Sequence, residues 1–374
     1  MALVLTEDEV MLVDSAKKLF SRSAPVSAFR ALRDSGEKAR YAPALWTEMA
    51  EAGYAGLLLP EAQGGTGFGA IGAGLIAEQI GHVLAASPLI SSALATEILL
   101  LAGNEAQTSL LAEIAAGELI VAFAIDEGRR HDPEHFALRA CADADGDGYV
   151  LEGEKRFVVD GGIADKFIVA AITDAGPALF LADATTAGVT ITQLSLVDSR
   201  NAADVKFSGV KLPASALIGK AGDAAPVIGR ALDIGRALLA AELLGMAQEA
   251  FDRTIAYLKE REQFGVKIGS FQALQHRASR MYCSLELARG VVLKALRALD
   301  EQDPAASLLA SLAKAVLTKT ARDVLNEATQ MHGGIGVTDD IDIGLFFKRV
   351  RVAGDTFGDD FFQKERLARL AWKI

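Results

Sequence analysis

Glu242 stands alone in Ala237-Leu-Leu-Ala-Ala-Glu-Leu-Leu-Gly-Met-Ala247, the one charged residue in eleven. A run this rich in Ala and Leu reads as a helix buried nearly all round. An isolated ionised carboxylate there is costly unless it is paired or protonated. Two chemistries fit the position. An Arg from a neighbouring helix holds Glu242, or Glu242 is a buried general base with a raised pKa. The two cysteines, Cys141 and Cys283, have no metal-ligand spacing, so no metal is expected and a reducing compartment is.

The elements that must position such a residue are legible in the text around it. Thr6-Glu-Asp-Glu9 has the pattern of a capping box and opens a first helix. Helical text continues through "ALWTEMAEAGYAGLLL", breaks at "PEAQGGTGFG", and resumes at "IGAGLIAEQIGHVL", so residues 1–117 read as all-helical. The period changes near residue 119. "ELIVAFAIDE", "YVLEGEKRFVVDG", "KFIVAAIT", "PALFLADA", "GVTITQL" and "ADVKFSGVKL" are short, β-branched or aromatic runs. Their spacing predicts a small antiparallel sandwich or barrel over 118–219. From residue 220 the text is helical again, with helices expected at 222–262, 270–300 and 304–332 and a last one ending at Ile374.

Composition bounds the function. The 374 residues suffice for two or three domains. A hydrophobic share of 51% and a mean hydropathy of +0.25 describe a globular chain rich in buried helix. Lys+Arg 38 against Asp+Glu 49 gives −11, which argues against a nucleic-acid surface or a basic membrane-binding face. The start "MALVLTEDEV" is acidic where a signal peptide would be basic, so a cytoplasmic location is expected. The uncharged stretch 79–96 carries His82 and Pro88 and reads as a broken core helix, not a membrane span.

Four motifs, in order, carry a resemblance. They are "LLLPEAQGGTGFG", "LEGEKRFVVDGGIADKFIVAA", "REQFGVKIGSFQALQHRASRMY" and "QMHGGIGVTDD". Together with the helix–sheet–helix order they resemble the acyl-CoA dehydrogenase family along essentially the whole chain. The resemblance extends to the divergent members found in heteromeric, steroid-type enzymes of lipid metabolism. It implies an α+β, mainly α fold: an N-terminal helical domain (1–117), a middle β-sandwich or barrel domain (118–219) and a C-terminal four-helix bundle (220–374). It also implies FAD lying across a subunit interface, an acyl-CoA substrate, an electron-transfer flavoprotein-type acceptor, and a homo-oligomer or a heterotetramer with a homologous subunit.

The cofactor residues follow from matching positions. Arg261 offers a guanidinium suited to a pyrophosphate, Phe264 an apolar wall, and Gln272 an amide for phosphate or ribose. Gly333 and Gly334 let backbone amides approach a dinucleotide without a Cβ in the way, with Gln330 beside them. On the flavin-ring side the sequence departs from the family. Ala124-Ile-Asp-Glu-Gly-Arg-Arg-His-Asp-Pro133 keeps Glu127 but lacks the usual hydroxyls, and Phe157-Val-Val-Asp160 lacks a Thr.

The catalytic base departs further. The family's commonest base position falls on Gly358 in Thr356-Phe-Gly-Asp-Asp360, and the minority position falls on Gly235. Glu242 lies seven residues after Gly235, on roughly the same helix face but about 10 Å along the axis. Asp359 and Asp360 are nearer in sequence to the common position, where they also suit the N-cap of the final helix. Three functional readings follow. The first is an acyl-CoA dehydrogenase whose base removes the α-proton while hydride leaves the β-carbon for flavin N5, giving a trans-2-enoyl-CoA. The second is a supporting subunit that supplies ADP-side contacts to a partner's flavin. The third is an oxidase or monooxygenase on the same fold. Glu242 and Asp359 are the candidate bases.

Overall fold

The computed structural model of the chain describes residues 3–143 and 148–372. The N-terminal helices are α1 (Glu7–Ser23), α2 (Val26–Asp34), α3 (Pro43–Glu51), α4 (Gly69–Val83), α5 (Leu89–Ala102), α6 (Glu105–Thr108) and α7 (Leu111–Ala115). The Thr6 hydroxyl accepts from the Glu9 amide and the Glu9 carboxylate accepts from the Thr6 amide, so the capping box forms as read. The uncharged stretch 79–96 is broken between α4 and α5, with Pro88 as the N-cap of α5. Among the described residues no helix is long and apolar enough to cross a membrane.

Eight strands follow in one sheet: β1 (Val121–Ala124), β2 (Arg139–Ala142), β3 (Gly148–Val159), β4 (Lys166–Thr173), β5 (Gly176–Asp183), β6 (Val189–Gln193), β7 (Ala202–Pro213) and β8 (Leu217–Ile218). Their order is β6-β7-β3-β2-β4-β5-β8, with β1 paired to β4. Two pairings differ from the antiparallel expectation, because β1 and β2 each run parallel to β4. The short β2 and β8 have no hydrophobic alternation, and periodicity alone does not mark them. Inward side chains of alternate positions, among them Leu151, Phe167, Val169, Phe180, Val205 and Phe207, form the sheet's core.

The C-terminal helices are α8 (Ala225–Glu260), α9 (Gln272–Asp300), α10 (Ala306–His332), α11 (Ile343–Asp355) and α12 (Asp360–Trp372), with a small hairpin of β9 (Glu262–Gln263) and β10 (Val266–Lys267) after α8. The final helix starts at Asp360, at the N-cap the sequence offers, and α11, which the sequence reading did not separate, precedes it across 356–359. Phe357 (φ 56°) and Gly358 (φ 103°) leave the helical region there. The chain divides into two compact units, one of residues 1–31, 74–85 and 236–374, the other of 32–73 and 86–235.

Within the first unit, α4 and α8 cross in close contact. A β-carbon at Gly81 would collide with the Glu242 carbonyl, and one at Gly245 with the Glu78 carbonyl. The glycine in "ELLGMA" is thus a packing requirement. It brings backbone against backbone beside Glu242, where no side chain would fit.

Candidate active site

The six residues expected to hold a cofactor all lie in the first unit, on two segments of its surface. Arg261 directly follows α8 and leads into the β9–β10 hairpin, whose tip is Phe264, and the Ile268 amide donates to the Arg261 carbonyl at 2.9 Å. Phe264 is 93% exposed, with φ 54°, and meets Phe271 edge-on at 6.1 Å. Gln272 is the first residue of α9. On the other segment Gln330 lies in the last turn of α10, and the helix stops at Gly333 (φ 67°), whose amide turns back to the Gln330 carbonyl.

These residues fit the ADP half of a dinucleotide. The Arg261 guanidinium is exposed and carries no carboxylate partner among the described residues. Neighbouring Glu262 is taken by Lys267 at 2.7 Å, whose hydrogen bond and charge hold its carboxyl below the usual range. The side-chain amides of Gln272 and Gln330 are likewise exposed. A β-carbon at Gly333 or Gly334 would meet no heavy atom within 4 Å, so backbone there faces open space. A free fork-shaped cation and two side-chain amides are donors for phosphate and ribose oxygens, and the glycine pair lets a dinucleotide approach the backbone closely.

The segment 354–360 is built around an absent side chain. Gly358 is buried, and a β-carbon on it would collide with Phe362 Cδ1 and come within 2.7 Å of Gln363 Nε2. Its φ of 103° also excludes other residues. Three helices grip the surrounding carbonyls. Lys314 Nζ donates to Gly354 O at 2.7 Å and Gly358 O at 3.5 Å. Arg236 Nε donates to Phe357 O at 3.2 Å, and Gln363 Nε2 donates to Phe357 O and Gly358 O at 2.9 and 3.2 Å. With the carbonyls held on one side, the Gly358 amide has no acceptor among the described residues. Lys314 is 0% exposed, and burial pulls its ammonium down to about 7, with Asp355 opposing and Arg236 adding to the fall.

Asp359 caps α12, its Oδ1 accepting from the Phe362 amide at 2.9 Å. Asp360 pairs with Lys364 at 2.7 Å. Both line a cleft of about 470 Å³ with Thr318, Arg322, Phe347 and Phe361. Glu242, 2% exposed, lies elsewhere in the unit's interior. Arg349 on α11 donates Nε to its Oε1 at 2.9 Å and Nη2 to its Oε2 at 3.0 Å. Of the two chemistries open to Glu242, this geometry is the paired one: both oxygens lie on one guanidinium.

In the second unit Glu127 is structural too. It pairs with Lys155 at 2.6 Å and accepts from the Ala137 and Leu138 amides at 2.5 and 3.0 Å. Lys155 is fully buried, donates to Ile125 O at 3.1 Å, and is pulled down to about 8 by burial, against the opposing Glu127 charge. Phe157 (φ 51°) sits at a bulge between β3 and β7, its amide bound by Asp204 Oδ1 at 3.0 Å. Sequence reading passed over Lys155, Arg236, Lys314 and Gln363. Lys314 was within reach, since "LLASLAKAVL" isolates one charge in apolar helix text as "ALLAAELLGMA" does.

Comparison with known proteins agrees with this layout. Three family models match in order: acyl-CoA dehydrogenase, N-terminal domain, over 6–118; middle domain, over 122–210; and C-terminal domain, over 225–371. A 3-(aryl)acrylate reductase of Clostridium sporogenes is 31% identical, over 82% of this chain and 84% of its own. The structure of the ChsE4-ChsE5 complex of Mycobacterium tuberculosis is similar with a TM-score of 0.90 at 27% identity, covering 100% of both chains. That of butyryl-CoA dehydrogenase of Megasphaera elsdenii is similar with 0.91 at 25%, again over 100% of both. The chain belongs to the acyl-CoA dehydrogenase family of flavoproteins, oxidoreductases that act on CH–CH groups.

Proposed function

We propose that this chain works in the FAD-dependent α,β-dehydrogenation of an acyl-CoA thioester to the trans-2-enoyl-CoA, as the ADP-side subunit of an assembly whose base comes from a homologous partner. One observation carries the reading. At Gly358, where the motif match puts the family's commonest base, Phe362 and Gln363 leave no room for a side chain, and the backbone has φ 103°, which side chains rarely adopt. Glu242, the other buried carboxylate in contention, is committed to Arg349.

FAD held by the ADP-side residues would supply a two-electron acceptor for the hydride of the substrate β-carbon. Arg261, Gln272 and Gln330 would hold the pyrophosphate and ribose, with the exposed Gly333–Gly334 backbone packed close against the cofactor. Phe264 would cover the apolar edge. Two-component assembly has a precedent in the similar ChsE4-ChsE5 complex.

A second reading has one observation in its favour. Asp359 caps α12 through Oδ1 and lines the 470 Å³ cleft, and its Oδ2 has no hydrogen-bond partner among the described residues. On that reading the chain is a self-sufficient dehydrogenase with Asp359 as base.

Anaerobic titration with acyl-CoAs of different sizes, followed by flavin bleaching, separates the two. The supporting-subunit reading expects little bleaching from the lone chain and full bleaching once a homologous subunit is added. A lone chain that holds stoichiometric FAD, bleaches, and loses bleaching in Asp359→Asn would overturn it.

A further inference from the structure

Tyr257 and His332 join the two cofactor-facing segments. Their rings stack at 4.5 Å with 28° between planes, across 75 residues of sequence, and Tyr257 Oη donates to the His332 carbonyl at 3.4 Å. Each residue is also wired into its own segment. The Tyr257 carbonyl accepts from the Arg261 amide at 2.9 Å, fixing where α8 ends and where the Arg261 side chain leaves the helix. His332 Nδ1 lies 2.8 Å from the Ala328 carbonyl, which accepts only if Nδ1 carries the proton, and the next residue is Gly333. His332 is 7% exposed, and burial pulls its imidazole below the ordinary range, with the Ala328 hydrogen bond opposing.

We infer that the Tyr257–His332 stack is a positioning pair that sets the spacing between the Arg261 guanidinium and the segment that carries Gln330 and the Gly333–Gly334 backbone. The inference rests on the reading of these groups as ADP-side cofactor contacts. Its physical basis is preorganisation. Two donors that must meet one pyrophosphate lose affinity when their separation fluctuates, even if each is intact. Neither ring has to touch the cofactor for the effect to operate.

The test is a double-mutant cycle on FAD affinity, measured by flavin fluorescence on the assembled protein with its partner subunit if one is needed. Tyr257→Ala should raise the FAD dissociation constant about tenfold, whereas Tyr257→Phe, which keeps the stack, should stay within about threefold. In an Arg261→Ala background the Tyr257→Ala effect should shrink to less than about threefold, because Tyr257 acts through the arginine. If Tyr257→Ala does not fold, His332→Leu serves in the same cycle. Additive effects in the cycle, or unchanged affinity in folded Tyr257→Ala, overturn the inference while Arg261→Ala alone still weakens FAD. Unchanged affinity in Arg261→Ala itself removes the ADP-side reading beneath it.

Discussion

Arg349 meets Glu242 with two parallel hydrogen bonds from two different guanidinium nitrogens, on a carboxylate that is almost wholly out of water. The pair joins α8 to α11. A buried ion pair contributes modestly as a pair, yet removing one partner strands the other at a cost of about 3–5 kcal/mol. Glu242→Gln should therefore lower stability by about 3 kcal/mol in urea unfolding, while turnover by the folded assembly persists. Loss of flavin bleaching in a fully folded Glu242→Gln protein would return Glu242 to the role of base.

Replacing Gly358 should not recreate a catalytic carboxylate. The left-handed backbone there costs a non-glycine residue about 1–3 kcal/mol, and the collision with Phe362 adds a comparable overpacking cost. Gly358→Glu is expected to lose about 2–4 kcal/mol of stability and gain no dehydrogenation in the lone chain. A stable Gly358→Glu chain that bleaches its own flavin would show that the loop opens, and the sealed-site argument would fail.

How much of this was legible before the structure varies with the length scale of the interaction. Helix α8 was read as 222–262 and runs Ala225–Glu260, because a long apolar run with punctuated ends is a local signal. The capping box at Thr6 was equally local. The partner of Glu242 was not legible. An Arg was one of two alternatives, but Arg349 lies 107 residues away, and nothing local singles it out from other arginines. The start of the last helix is legible, since Asp359 and Asp360 suit its N-cap and α12 begins at Asp360, but α11 before it (Ile343–Asp355) carries no such local signal. The cofactor residues came from motif positions alone. Their common surface exposure and the Tyr257–His332 link are properties of folded segments far apart in sequence.

Arg261 carries the cofactor assignment most directly. A charge-assisted contact to a phosphate is typically worth about 1.5–3 kcal/mol, so Arg261→Ala should raise the FAD dissociation constant at least tenfold. The side chain is exposed, and no carboxylate partner is left stranded, so the melting temperature of the flavin-free protein should not change. Equal loss of stability in the flavin-free protein would mean that the arginine is structural.

Lys314 gives a pH signature. Its folded-state pKa is pulled down to about 7 from an ordinary 10.5 by complete burial. Below about 7 both folded and unfolded chains hold the proton, and the folded state bears the full cost of a buried ammonium. Between about 7 and 10.5 the unfolded chain holds a proton that the folded chain has released, so stability rises with pH through that window, by at most about 1.4 kcal/mol per unit. Lys314→Met lacks the group and should lack that rise, though it also leaves the Gly354 and Gly358 carbonyls without a donor. Urea unfolding at pH 7 and pH 9 is therefore expected to show the wild-type chain gaining about 2 kcal/mol relative to Lys314→Met as the pH rises. A difference that stays constant within about 0.5 kcal/mol between the two pH values would place the Lys314 pKa near its ordinary value. The ammonium would then stay charged beneath the Gly358 loop, and its hydrogen bonds to the two carbonyls would be charge-assisted throughout.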